Sequence, residues 1–267
     1  MVVFGYLGAL LVGLSLGILG AGGSIIAIPV LIYLFKIDPI LATTYSFFIV
    51  GSVALTGSIQ HIRKGQVKLM PALYFAVSGV ISIYLIRTYI LKLIPEVLFM
   101  IGTVTITKEI GILIFFSIVM AFAGISMIRS AGGNRSVRSE TGAPGFMYLI
   151  LLGFGVGIII AIAGVGGGFL ITPALILFAR LPVKTAIGTS LCIISLNSFV
   201  GFFSSLHLHP DIDWQFLFLF IAVTLTGLFA GGKFAGRLNA DKLKVIFGWF
   251  VLAMSIFMII NELYLKV

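Results

Sequence analysis

Apolar residues run along this chain in long blocks separated by short polar stretches. The blocks cover 2–19, 24–35, 40–60, 69–90, 110–128, 145–163, 168–179, 184–205, 213–232 and 245–265. Several reach the ~20 residues that a helix needs to cross a bilayer. Two fall short. As helices, 24–35 and 168–179 would each be only ~18 Å long, against ~30 Å of hydrocarbon. Both follow a glycine cluster: Gly20-Ala21-Gly22-Gly23-Ser24 before the first, Gly164-Val165-Gly166-Gly167-Gly168 before the second. Glycine weakens a helix. In a membrane, broken backbone persists only where protein buries it or where it lines a polar cavity. Matched broken segments in the two halves of a chain are the best sequence pointer to a transporter's binding site.

The clusters stand 144 residues apart, and their surroundings repeat at that offset. Val12-Gly13 matches Val156-Gly157, and Pro29 matches Pro173. Leu31-Ile32 matches Leu175-Ile176; Ala42, Ser46 and Gly57 match Ala186, Ser190 and Gly201. Apolar identities alone would mean little in such a composition. Glycine and proline in register make this a repeat.

Composition fixes the class. The 267 residues are 60% hydrophobic and 9% charged, which suits a membrane protein and not a large soluble core. The first segment carries no basic residue in Met1-Val2-Val3-Phe4, so it reads as a retained segment and not a signal peptide. The net charge of +9 comes from bases in loops, so the expected partner is the lipid bilayer and not nucleic acid. The single cysteine, Cys192, excludes an intrachain disulfide and reads as a small packing residue.

Loop charges orient the repeats. Loop 61–68 holds Arg63, Lys64 and Lys68 without an acid; its counterpart 206–213 holds Asp211 and Asp213 without Lys or Arg. Equivalent loops of opposite bias belong on opposite faces. The linker 129–143 and loop 233–244 are basic and read as cytoplasmic; loop 87–96, counting Arg87 and Lys92 against Glu96, is less so. The prediction is an all-α polytopic protein of the cytoplasmic membrane. It has an inverted repeat over 1–128, a cytoplasmic linker over 129–143 and a second repeat over 144–267. Each repeat has about five helical segments, and both termini lie outside. The pattern does not assign a structure to 98–109, and it leaves a homo-oligomer open.

Chemistry is sparse. The eight acids all lie at or beyond segment ends. Proton pumps and cation carriers usually keep carboxylates in the membrane, so a metal or organic-cation substrate is disfavoured. No metal site or cofactor is expected. Anions need no carboxylate. A helix N-terminus offers unpaired N–H groups and partial positive charge. The short helices would present two such ends at the repeat interface. The expected substrate-binding residues are Gly22, Gly23, Ser24, Thr43, Thr44, Ser46, Gly166, Gly167, Gly168, Thr189, Ser190 and Asn197. On this reading the site needs no buried arginine. The competing reading is that the glycines only let helices pack closely.

Enzyme motifs fail. The second cluster ends in Phe169 with no preceding strand, so it is not a dinucleotide fingerprint; neither cluster is followed by the Lys-Ser or Lys-Thr of a P-loop. Gly188-Thr189-Ser190-Leu191 lacks the closing glycine of a nucleophile elbow. His207 and His209 beside Asp211 and Asp213 read as solvated loop residues. No catalytic residues are assigned.

As a set, these motifs resemble the TauE/SafE, or sulfite exporter, family of membrane transporters over essentially the whole chain. The resemblance rests on the paired Gly20–Pro29 and Gly164–Pro173 motifs and on Ala186-Ile187-Gly188-Thr189-Ser190-Leu191. It also rests on His61–Val67, Ile212-Asp213-Trp214 and Gly231–Leu238. It implies secondary transport, often outward, of a small sulfur-containing anion such as sulfite, sulfoacetate or thiosulfate. Ala42-Thr43-Thr44-Tyr45-Ser46-Phe47 departs from the pattern: it lacks the Gly-Thr pair and carries Tyr45. The alternatives are a passive anion channel, and a membrane enzyme or assembly subunit.

Overall fold

The computed structural model describes residues 2–20, 23–90, 93–101, 104–130, 145–163, 168–177, 179, 181–206, 212–234 and 240–264. Helix α1 spans Val2–Leu19. It stops because Gly20 turns left-handed, at φ +67, while still donating its N–H to Leu16 O at 2.9 Å. The short α2, Gly23–Pro29, runs into a π turn at Val30–Leu34. Helix α3, Pro39–Arg63, starts on Asp38, whose Oδ1 accepts from the N–H groups of Ile40 and Leu41 at 2.9 and 3.2 Å. Helix α4, Leu69–Leu85, is extended by a π turn at Ile86–Ile90. A two-stranded antiparallel hairpin follows, β1 (Val97–Ile101) and β2 (Val104–Thr107), then α5, Lys108–Ser130. The hairpin fills the stretch to which sequence assigned no structure.

The second half repeats this order without the hairpin: α6 (Phe146–Ala163), α7 (Gly168–Leu177), α8 (Val183–Ser205), α9 (Trp214–Phe234) and α10 (Ala240–Tyr264). The protein is thus an all-α polytopic membrane protein carrying one hairpin. Among the described residues, five helices are long and apolar enough to cross a membrane. Most of the linker 129–143 lies outside the described residues.

Local bonds recur at the offset of 144. After α2, Phe35 N–H donates to Val30 O at 3.3 Å and Ile37 N–H to Leu31 O at 3.1 Å. After α7, Ala179 donates to Ala174 at 3.3 Å and Leu181 to Leu175 at 3.1 Å. The contacts between the halves recur too. A Cβ on Gly201 would stand 2.7 Å from Cε1 of Phe47, and one on Gly57 would stand 3.2 Å from Cδ1 of Leu191. Adding 144 to Phe47 gives Leu191, and adding 144 to Gly57 gives Gly201. A Cβ on Gly51, between Phe47 and Gly57, would stand 3.1 Å from Ser198 Cβ. Helices α3 and α8 therefore run antiparallel along their lengths.

The core follows this pair and the short helices: Ile25, Ile28, Leu31, Phe47, Ile193 and Phe202 are all buried. Lipid gives helices no hydrophobic reason to associate, so packing rests on small residues that let backbones approach. Helix α1 lies parallel to α9 and α6 parallel to α4, each pair joined through glycines such as Gly17 against Gly231 and Gly157 against Gly79. Outward faces stay apolar, with Phe4, Leu7 and Leu11 on α1 and Leu73, Val77 and Ile81 on α4 exposed for lipid.

Candidate substrate-binding site

The short helices α2 and α7 contact each other where the two halves meet. Of the residues predicted to form the site, Gly22, Gly166 and Gly167 lie outside the described residues, as does the side chain of Ser24. Gly168 is the first residue of α7. Gly23 starts α2, pressed against α1: an added Cβ would run into Val12 O, Leu16 and Ser15. Its missing side chain is thus already used by packing within the first half.

The hydroxyls divide by position. Thr43 and Thr44 are buried in the first turns of α3, and both donate to Ile40 O, at 2.7 and 3.2 Å. Thr189 is buried in α8, and its Oγ1 accepts the N–H of Lys68, the residue that caps α4, at 3.0 Å. Tyr45, 144 residues before Thr189, accepts the N–H of Asp213 at 2.8 Å, and Asp213 in turn caps the start of α9 through Phe216 N–H. The bulky residue that breaks the sequence pattern therefore performs its counterpart's task. Each anchors the start of a long helix from the other half.

Ser190 donates to Ile187 O at 2.9 Å and accepts from Thr172 Oγ1, on α7, at 2.7 Å. Ser46, its counterpart, is fully buried and has no partner for its Oγ. The position equivalent to Thr172 is Ile28, which has no hydroxyl to offer. Asn197 is also fully buried, and neither its Nδ2 nor its Oδ1 has a partner. It projects against α4, since a Cβ on Gly79 would stand 2.7 Å from its Nδ2. A buried polar group without a partner costs about 1–3 kcal/mol. Ser46 and Asn197 are two such residues on the paired helices α3 and α8.

One residue departs from the sequence reading: Arg87, which reads as part of a loop over 87–96, next to a site that reads as needing no buried arginine. Instead Arg87 lies in the π turn that extends α4 and is 1% exposed. Its Nε donates to Ala161 O on α6 at 3.2 Å, one terminal nitrogen to Ser205 Oγ on α8 at 2.6 Å, and the other to Thr43 Oγ1 on α3 at 3.2 Å. The guanidinium carbon sits 4.4 Å from the centre of the Phe47 ring. The physical reason is that α6 ends at Ala163. Its last carbonyls have no intrahelical N–H, and a cation at a helix C-terminus is favourable. A signal was present: Gly79, Ile83 and Arg87 follow at steps of four on the buried side of α4, opposite Val77, Ile81 and Leu85.

No group of three or more His, Cys, Asp or Glu side chains converges among the described residues. His207, His209 and Asp211 lie outside them.

Comparison with known proteins agrees with this architecture. A family model described as "Sulfite exporter TauE/SafE" matches residues 6–258. A "Probable membrane transporter protein" of Xylella fastidiosa (strain Temecula1) is 33% identical over 255 residues, covering 93% of this chain and 91% of its own. A Bacillus subtilis (strain 168) relative, "Probable membrane transporter protein YunE", is 26% identical over 254 residues, covering 86% and 85%. One from Methanocaldococcus jannaschii is 34% identical over 116 residues, covering 41% of this chain and 43% of its own. No solved structure matches.

Proposed function

The chain belongs to the TauE/SafE sulfite exporter family of membrane transporters, and from that premise we propose that it moves a small sulfur-containing anion by alternating access. The substrate is sulfite, sulfoacetate, thiosulfate or a similar organosulfonate. Two inverted repeats rock about a site between α3 and α8, beside the starts of α2 and α7. Antiparallel packing of equivalent helices, with equivalent pairs at Phe47–Gly201 and Leu191–Gly57, is what inversion requires and supports this reading. Outward movement of one negative charge from an inside-negative cell gains ~2.3 kcal/mol per 100 mV, so export needs no second ion.

The observation that carries the proposal is Asn197. A contact of α8 with α4 that only packs would have no use for a buried amide with both ends unsatisfied. A site for a hydrated or oxygen-rich guest would. Purified protein in liposomes, loaded with labelled sulfite, sulfoacetate or thiosulfate, should show saturable efflux and counterflow of at least one. The Asn197→Leu variant should lose that transport while melting no lower than wild type, because the orphaned amide is gone. A passive channel would conduct without counterflow. Full transport by the leucine variant would remove Asn197 from the site.

A further inference from the structure

We infer that Arg87 is the charge partner of the transported anion, and that the anion meets it beside the C-terminal end of α6. The inference rests on the anion-transport reading above and adds to it a fixed cation. An arginine this close to a helix end normally extends its charge to water. This one does the opposite: its guanidinium is held inside by three helices, and every group it touches is neutral. The Ala161 carbonyl, the Ser205 and Thr43 hydroxyls and the Phe47 ring leave the positive charge uncompensated, and no described carboxylate pairs with it.

Capping α6 explains only the Nε bond. The terminal nitrogens are each held by a single hydroxyl, so one N–H on each is left over. Two free N–H groups on one planar cation suit two oxygens of one oxyanion, whether sulfite, a sulfonate or thiosulfate. The partners belong to both halves, Thr43 to the first and Ala161 and Ser205 to the second. An anion that draws the guanidinium from those hydroxyls therefore acts on the interface that must open. The other half holds no counterpart: the equivalent helix starts at Lys68 and Asp213 stand 145 residues apart, so Arg87 corresponds to Gly232, which carries no side chain.

The test compares two competitors of nearly equal shape, methanesulfonate and the neutral methanesulfonamide, against efflux of labelled sulfite. In wild type the anion should compete at least 10-fold better. Arg87→Gln should raise the half-saturating sulfite concentration about 10- to 100-fold, and the two competitors should become equal within about 3-fold. Arg87→Lys should keep the preference, since it keeps the charge. A merely structural arginine would change yield and melting but not the ratio of competitors. Persistence of the ratio in the glutamine variant, or its collapse in the lysine variant, would overturn the proposal while leaving sulfite transport intact. Wild-type protein that neither transports sulfite nor responds to methanesulfonate would instead overturn the transport reading together with it.

Discussion

The two halves share their scaffold but not their polar chemistry. Tyr45 and Thr189 anchor equivalent helix starts, and the backbone bonds after α2 and α7 match to the distance. The next position along tells a different story. Ser190 is closed by Thr172 at 2.7 Å, while Ser46 has no partner, and Ile28 stands where Thr172 would be. Arg87 is a buried cation, while its counterpart Gly232 carries no side chain at all. Packing positions tolerate little change because backbone meets backbone there, whereas a hydroxyl or a charge can be added to one half alone. The lesson is that duplicated structure does not make the polar interior symmetric: the first half holds the unpartnered hydroxyl and the buried cation.

The largest expected effect breaks the scaffold. At Gly231 an added side chain meets the backbone of Leu14, whereas Gly232 next to it has nothing within 4 Å. Gly231→Val should therefore lose at least the 1–3 kcal/mol of an overpacked core, while Gly232→Val should be near neutral. Yield and melting temperature of the purified proteins would show it; equal behaviour of the pair would deny that α1 and α9 are held by this contact.

A smaller effect should sharpen the polar difference. Ile28→Thr would give the first half the hydroxyl that the second has at Thr172. If Ser46 serves the substrate, quenching it should weaken half-saturation for sulfite about 3- to 10-fold, on the ~1 kcal/mol scale of one hydrogen bond. Ile28→Val is the control for shape. Unchanged affinity in Ile28→Thr liposomes would take Ser46 out of the site.

The smallest effect tests what the halves share. Tyr45→Phe and Thr189→Val each remove the acceptor of one helix-start N–H. Each should cost about 0.5–1.5 kcal/mol of stability and leave the half-saturating sulfite concentration as it was. A melting shift in one variant without the other would mean that the two anchors are not equivalent. A change in sulfite affinity for Thr189→Val would return that residue to the site.

Much of the fold was legible in the chain. Apolar blocks gave ten helical segments close to those observed, because the alternatives to a spanning helix are few in lipid. Glycine and proline in register marked where the short helices α2 and α7 lie, because those residues act on the backbone locally. The same marks were enough to point to the family. The candidate site was legible only in part. Ser46 and Asn197 stand out in the sequence as polar atoms in apolar blocks, which is a property of one helix. Whether such an atom is satisfied depends on a different helix, and sequence treated Ser190 and Ser46 alike although only one has a partner.

By itself, then, the sequence determined the class and the order of the apolar segments. Both follow from local backbone preference and the cost of polar groups in hydrocarbon. Tertiary structure alone decided the direction of Arg87, the shared duty of Tyr45 and Thr189, and the packing of Gly23 on α1. Arg87 meets its hydrogen-bonding partners 44, 74 and 118 residues away. A charge at a helix end turns outward or inward according to what lies beside it, and that neighbour is chosen by the packing of helices distant along the chain.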